Sequence, residues 1–143
     1  MIKFSRREDY AVMLVHKLAV EYKKRLVPLS EIAEEYEISL LFLRNIASEL
    51  HKTGLIKAVE GKSGGYYLTK NPKEVLLGNI LSVFVKNRLL ECCPSNTKNS
   101  PKRTCPKKGH CVTGNVWRAL NKEFLDKVYN MSLIDFITYK HTE

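Results

Sequence analysis

The stretch SLLFLRNIASELHKTGLIKAVEGKSGGY, residues 39–66, decides the fold. Ser39 offers a hydroxyl that can accept a backbone N–H and cap a helix. Leu40, Leu43, Ile46, Ala47 and Leu50 follow at three- and four-residue steps, making one apolar stripe that ends at Gly54. Residues 55–60 then read as a strand and 66–69 as a returning strand. Between them, at 61–65, lies a tip whose three glycines permit positive backbone torsions.

The flanking segments give this stretch its partners. Ser30 is a candidate cap for a short helix carrying Ile32, Ala33 and Tyr36, with Glu31 near its positive end, and residues 37–39 form a turn into the next helix. Upstream, Tyr10, Ala11, Leu14, Val15, Leu18, Ala19 and Tyr22 mark a core helix over residues 7–22; Lys23, Lys24 and Arg25 crowd its end, and Pro28 breaks it. Helix, turn, helix and hairpin in this order predict a winged helix-turn-helix over residues 28–69.

After Pro72, the steps between Leu76, Ile80, Val83 and Phe84 predict a helix ending near Lys86. Residues 94–109, with three prolines and several lysines, read as a loop. From Val112 onward, Val116, Ala119, Leu120, Phe124, Val128 and Met131 form a long amphipathic stripe that needs a partner to bury it. Ser132 and Asp135 make a capping arrangement for a final helix carrying Leu133, Ile134, Phe136 and Ile137. The fold class is mainly α with a small β-hairpin wing.

At 143 residues with 44% hydrophobic content, the chain fits one globular domain with an appendage. No apolar run approaches the ~18 residues of a membrane span, and MIKFSRREDY lacks the apolar core of a secretory signal, so a cytoplasmic protein is expected. The net charge of +9 suits a polyanionic partner, whose condensed counterions are released when Lys and Arg neutralise phosphates. Residues 1–70 hold 12 basic and 9 acidic residues, a net of only +3. Residues 95–110 hold five basic residues and no acidic one. Charge alone therefore does not define a reading surface.

In a winged helix the N-terminal residues of the second helix face base edges, which makes Ser39, Leu41, Phe42 and Arg44 candidates. A guanidinium such as that of Arg44 can bond bidentately to guanine or clamp a phosphate. Lys57, Lys62 and Ser63 lie on or near the wing, and Arg6 and Arg7 precede the first helix; all can contact phosphates, which position a protein without reading sequence. No Ser/His/Asp set, paired carboxylates or phosphate loop points to an enzyme.

The four cysteines, Cys92, Cys93, Cys105 and Cys111, all fall within 20 residues, in the same region as the basic excess. In a reducing compartment such clustering favours metal or redox chemistry over a disulfide framework. Thiolates are the soft ligands of iron–sulfur clusters, and nearby Lys and Arg favour the deprotonated form. Tetrahedral zinc is the alternative, although the usual C-x2-C knuckle is missing; a Cys105–Cys111 disulfide switch and a cofactor-free regulator are others.

Residues 39–66 resemble the head of the winged-helix transcription regulator family of IscR, NsrR and CymR, and the GGYYL ending is the most specific piece. The resemblance extends through EDYAV near the N-terminus and CVTGNVWRALNKEFLDKVYNMSLIDFI near the C-terminus, and so covers nearly the whole chain. It implies a homodimeric regulator, a repressor in the first instance, binding a double-stranded DNA operator. It divides the chain into a winged head at 1–86, a cluster loop at 87–111, and a dimerisation helix with a C-terminal helix at 112–143.

The resemblance also implies that Cys93, Cys105 and Cys111 hold an iron–sulfur cluster, a [4Fe–4S] cluster before a [2Fe–2S] one. The Cys105-x5-Cys111 interval is similar to the family's, while the 11 residues between Cys93 and Cys105 make a longer first interval, so Cys92 is a second candidate. The histidine that IscR-like members place three residues after the last cysteine is Gly114 here, and the adjacent His110 is a weaker candidate. NsrR-like members borrow a carboxylate from the partner subunit; Asp9 occupies the resembling position, with Glu8 beside it. An electron-transfer or cluster-delivery protein would share the cysteines but has no need of the wing.

Overall fold

The apolar spacing of residues 6–20 produces the first helix of the computed structural model, α1 (Arg6–Val20), whose Ala11, Leu14, Val15 and Leu18 are buried. The structure describes residues 5–84 and 111–139. Lys23, at φ 59°, ends the turn that follows α1, and Tyr22 still packs on the core. The short helix α2 (Leu29–Glu35) begins directly after Pro28, so Ser30 lies inside it instead of capping it. Proline's fixed φ and extended preference suit this junction. It is set from outside the segment: Val27 exchanges two backbone hydrogen bonds with Tyr66, at 3.0 and 2.8 Å.

Glu37 takes φ 54° in the turn before α3 (Leu40–Lys52). Ser39 caps α3 as its chemistry predicts, its hydroxyl accepting from the Phe42 N–H at 3.5 Å. Leu43, Ile46, Ala47 and Leu50 are fully buried, and Gly54 takes φ 78° beyond the helix end. The hairpin comprises β1 (Ile56–Val59) and β2 (Gly65–Leu68), antiparallel, with Ile56 opposite Leu68 and Lys57 opposite Tyr67. Ile56 and Leu68 face the core, and Lys57 and Tyr67 face outward. The Thr69 hydroxyl donates to the carbonyls of Gly54 and Leu55 at 2.7 and 3.0 Å, tying the returning strand to the end of α3.

Only Gly61 at the wing tip has a positive φ, 119°. Gly64 and Gly65 serve close approach: a Cβ on Gly65 would stand 2.7 Å from the Val27 carbonyl carbon. Beyond the wing, a 3-10 turn (Pro72–Glu74) precedes α4 (Leu77–Leu81), which lies within the helix expected from Leu76, Ile80, Val83 and Phe84; its expected end near Lys86 falls outside the described residues. Val75 and Leu76, between the two, are held extended by another segment. Leu133 N–H donates to Val75 O at 2.8 Å and Leu77 N–H to Met131 O at 2.9 Å.

Those bonds anchor the junction between α5 (Gly114–Tyr129) and α6 (Leu133–Ile137) on the head. Ser132 caps α6, accepting the Asp135 N–H at 3.0 Å. Gly78 lets α5 come close, since a Cβ there would meet Tyr129 O at 2.8 Å. Val116, Trp117, Leu120 and Phe124 of α5 remain exposed.

Candidate nucleic-acid interface and cysteine site

The buried stripe of α3 fixes which side chains its other face presents. Leu41, Arg44, Asn45 and Ser48 are exposed on that face, and Leu41 is 69% exposed. Arg44 forms no ion pair with any described residue, leaving its guanidinium available. Phe42 is turned inward, edge-on to Tyr10 of α1 with ring centroids 5.8 Å apart. Among the candidates on α3 it is the one that packs rather than projects. Asn45 and Ser48 were not singled out in the sequence, although positions 41, 44, 45 and 48 repeat at helical spacing opposite the apolar stripe.

On the wing, Lys57, Lys62 and Ser63 are exposed, with Tyr67 beside Lys57 on the outer face. Arg6 is exposed at the start of α1. The Arg7 guanidinium lies 5.2 Å from the Phe84 ring centroid, a cation–π contact joining the start of α1 to the turn after α4. The head thus presents one arginine and several polar groups from α3, with lysines on the hairpin.

The cysteine site is described at Cys111, whereas Cys92, Cys93, Cys105 and His110 lie outside the described residues. Cys111 precedes α5, and its Sγ accepts the Gly114 N–H at 3.1 Å. That N–H, with the Thr113 hydroxyl next in effect, holds the thiol below its ordinary range; burial acts in the opposite sense, and Arg118 adds a smaller favourable charge. The backbone turn at Gly114 therefore supports a thiolate. Gly114 supplies no side-chain ligand, in keeping with the absence of a histidine there.

Asp9 is exposed on α1, while Glu8 is buried and accepts a hydrogen bond from the Ser5 hydroxyl. Both line a cavity of about 420 Å³ with apolar walls that include Leu77, Leu81, Phe124 and Val128. Phe124 and Val128 belong to the C-terminal half of α5, a 16-residue helix about 24 Å long. Within one chain, Asp9 therefore shares a cavity with the C-terminal half of α5, whereas Cys111 lies just ahead of its N-terminal end.

A helix-turn-helix with a hairpin wing and an appended helix defines a winged-helix transcription regulator. The pattern of the Rrf2 family, described as Iron-dependent Transcriptional regulator, matches residues 4–139, and the chain belongs to this family. It is similar to the HTH-type transcriptional regulator IscR of Pectobacterium atrosepticum, 29% identical over 97% of this chain and 81% of that protein. IscR of Aliivibrio salmonicida is 32% identical over 89% of this chain and 74% of its own length. Among solved structures, T. potens IscR superposes with a TM-score of 0.71 at 26% identity, covering 96% of this chain and 87% of that one. The oxidized form of Staphylococcus aureus CymR gives the same TM-score and identity, over 99% of this chain and all of the other. These relatives are transcription regulators, not enzymes. Among the described residues, no helix is long and apolar enough to cross a membrane.

Proposed function

We propose that the chain is a cytoplasmic, homodimeric repressor whose hold on a DNA operator depends on an iron–sulfur cluster. The observation that carries the sensing part is Cys111. Its sulfur receives a backbone N–H at the foot of an exposed helix and is biased toward the thiolate that such clusters require. The donor set fits: Cys93, Cys105 and Cys111 supply soft thiolates, and the partner subunit's Asp9 supplies a harder, more weakly held carboxylate. A cluster bound there, [4Fe–4S] before [2Fe–2S], supplies a centre sensitive to redox state, nitric oxide or cluster supply.

The chain's own residues carry the consequence. Asp9 lies on α1, one residue before Tyr10, which packs on Phe42 of α3. Holding or releasing the Asp9 carboxylate thus loads the same helix that supports the reading head. Arg44 and Leu41 meet base edges, Ser39 stands at the helix cap, and Arg6, Lys57, Lys62 and Ser63 meet phosphates. Arg7 and Phe42 contribute by packing that surface.

Anaerobic purification with absorption spectra, iron, sulfide and zinc analysis, and operator-fragment binding by holo and apo protein tests this reading. The expected result is a coloured protein containing iron and sulfide, with holo and apo forms differing in affinity for particular fragments. A colourless, iron-free protein after reconstitution overturns the cluster assignment, and zinc in its place establishes the alternative metal. Equal, weak binding to every fragment overturns the sequence-specific regulator.

A further inference from the structure

We infer that Arg118 is a positioning residue of the cysteine site: it clamps the first turn of α5 so that the Gly114 N–H stays on the Cys111 sulfur, and it sets a positive charge beside the anionic group that this sulfur helps to hold. The clamp stands on the geometry of this turn alone. The charge role rests on the cluster reading above.

Arg118 reaches back along its own helix. Its Nε donates to Gly114 O at 3.2 Å and its Nη2 to Asn115 Oδ1 at 2.5 Å. Side chains in a helix lean toward its N-terminus, so residues three and four positions earlier are the ones a guanidinium fork can span. Gly114 is thereby held on both sides: its N–H donates to Cys111 Sγ at 3.1 Å, and its carbonyl accepts from the guanidinium. A glycine opening a helix would otherwise fray, having the largest backbone entropy to lose. Thr113, the cap residue, makes no side-chain bond to the helix, and its hydroxyl lies 3.9 Å from the sulfur instead. The N–H that meets the sulfur is therefore steadied from the Arg118 side.

The placement runs against the helix dipole, whose positive end favours carboxylates and disfavours cations. The first turn of α5 nevertheless holds no acidic residue, and a guanidinium is folded onto it. No ion pair with a described residue accounts for this position of Arg118. Among the three long helices, α1 opens with Glu8 and Asp9 in its first turn, whereas α3 and α5 open without an acid and carry an arginine at the fifth position. In α3 that arginine is Arg44, on the face proposed to meet DNA. A helix start that lacks an acid and gains a cation is complemented by an anion brought from elsewhere. At α5 the group already seated on the start is the Cys111 sulfur.

Substitutions at 118 in the full chain separate the clamp from the charge. Hydrogen exchange in the apo protein reads the clamp: Arg118→Gln should speed exchange at the Gly114 amide by roughly tenfold, the loss of one charged hydrogen bond. The Leu133 amide, bonded to Val75 O at 2.8 Å, should change little. After anaerobic reconstitution, Arg118→Gln should lower the cluster's midpoint potential, since a cation beside it favours the reduced form. The expected shift in the oxidised-to-reduced ratio is about threefold to tenfold, tenfold being 59 mV for one electron. Arg118→Lys keeps the charge without the fork, so it should restore the potential while the Gly114 amide stays fast. Lys122→Gln removes an equal charge about 6 Å further along α5 and should move the potential less. An unchanged Gly114 amide in Arg118→Gln overturns the clamp, and so does equal loosening at Leu133. A potential moved as far by Lys122→Gln as by Arg118→Gln, or by neither, overturns the charge role. A wild-type chain that takes up no iron overturns the cluster reading and the charge role with it, and the exchange result still decides the clamp.

Discussion

Tyr10 of α1 meets Phe42 of α3 edge-on, with ring centroids 5.8 Å apart and planes at 84°. An aromatic pair in this geometry contributes about 0.5–1.5 kcal/mol beyond its buried area. A double-mutant cycle with Tyr10→Leu and Phe42→Leu, read by urea unfolding, should therefore give a coupling energy of that size. Because Phe42 faces Tyr10, Phe42→Leu should lower affinity for all DNA sequences alike. A change in which base is preferred at one operator position would show that the ring reads DNA.

Gly65 faces the backbone of Val27, where a Cβ would lie 2.7–2.9 Å from its N, C and O atoms. Gly65→Ala must push the wing off the Val27–Tyr66 bridge, and overpacking of this kind costs roughly 1–3 kcal/mol. Hydrogen exchange should show lost protection at the Val27 and Tyr66 amides. Gly64, which pairs its N–H with Gly61 O at 3.1 Å, serves as a nearby reference amide. Equal loosening at both sites would mean general destabilisation instead of a parted bridge.

The elements legible in the sequence are those whose determinants are local. Ser39 and Ser132 both cap the helices expected of them because the acceptor and the N–H it binds lie three residues apart. Ser30 does not, since the helix start at Leu29 follows from Pro28 and from the Val27–Tyr66 bridge. The glycines at 64 and 65 suggested unusual torsions, whereas Gly65 is required by backbone distant in the chain. Likewise, the extended backbone at Val75 and Leu76 that sets the start of α4 is held by hydrogen bonds with residues 131 and 133, which have no local trace. At the site, a place near the N-terminus of the second helix made both Arg44 and Phe42 candidates; Arg44 is exposed, but Phe42 turns inward toward a ring in another helix. The exposed row on α5 was legible as a face needing cover.

An ionic network ties α1 to α2 and should leave a pH signature. Arg25 bonds Glu31 at 2.8 and 2.5 Å and pairs with Glu21, while Lys17 pairs with Glu35 at 2.6 Å and Glu31 at 3.8 Å. Arg25 holds the Glu31 carboxyl below its usual range, chiefly by hydrogen bonding, and Glu35 raises the Lys17 ammonium above its own. A lowered folded-state carboxyl stabilises above its unfolded value, about pH 4, and that stabilisation is lost as pH falls through the lower folded value. A raised ammonium stabilises below its unfolded value, about pH 10, and loses this as pH rises through the higher folded value. Arg25→Ala should therefore lower Tm modestly above about pH 4, with the difference from wild type shrinking as pH falls through the lowered Glu31 value. High salt at neutral pH should shrink it too. A difference that stayed constant as the carboxylates protonate would assign the loss to the packing of the Arg25 stem.

Arg44 and Lys62 should fail differently if the head reads DNA as proposed. Arg44 is on the exposed face of α3 with no ion pair to any described residue, so it is free for a base edge; Lys62 is at the exposed wing tip, in reach of phosphate. Losing a bidentate base contact costs about 1–3 kcal/mol and falls on one base pair. Arg44→Ala should weaken operator binding by that amount and flatten preference at a single position, with little change for random DNA. Lys62→Ala should weaken all sequences nearly equally and reduce the slope of log affinity against log salt by about one. Binding isotherms across a salt series, on the operator and on single-base variants of it, separate the two. If both substitutions altered only the salt slope, base reading would have to pass to Leu41, Asn45 and Ser48 on the same exposed face, and Arg44 would be a phosphate clamp.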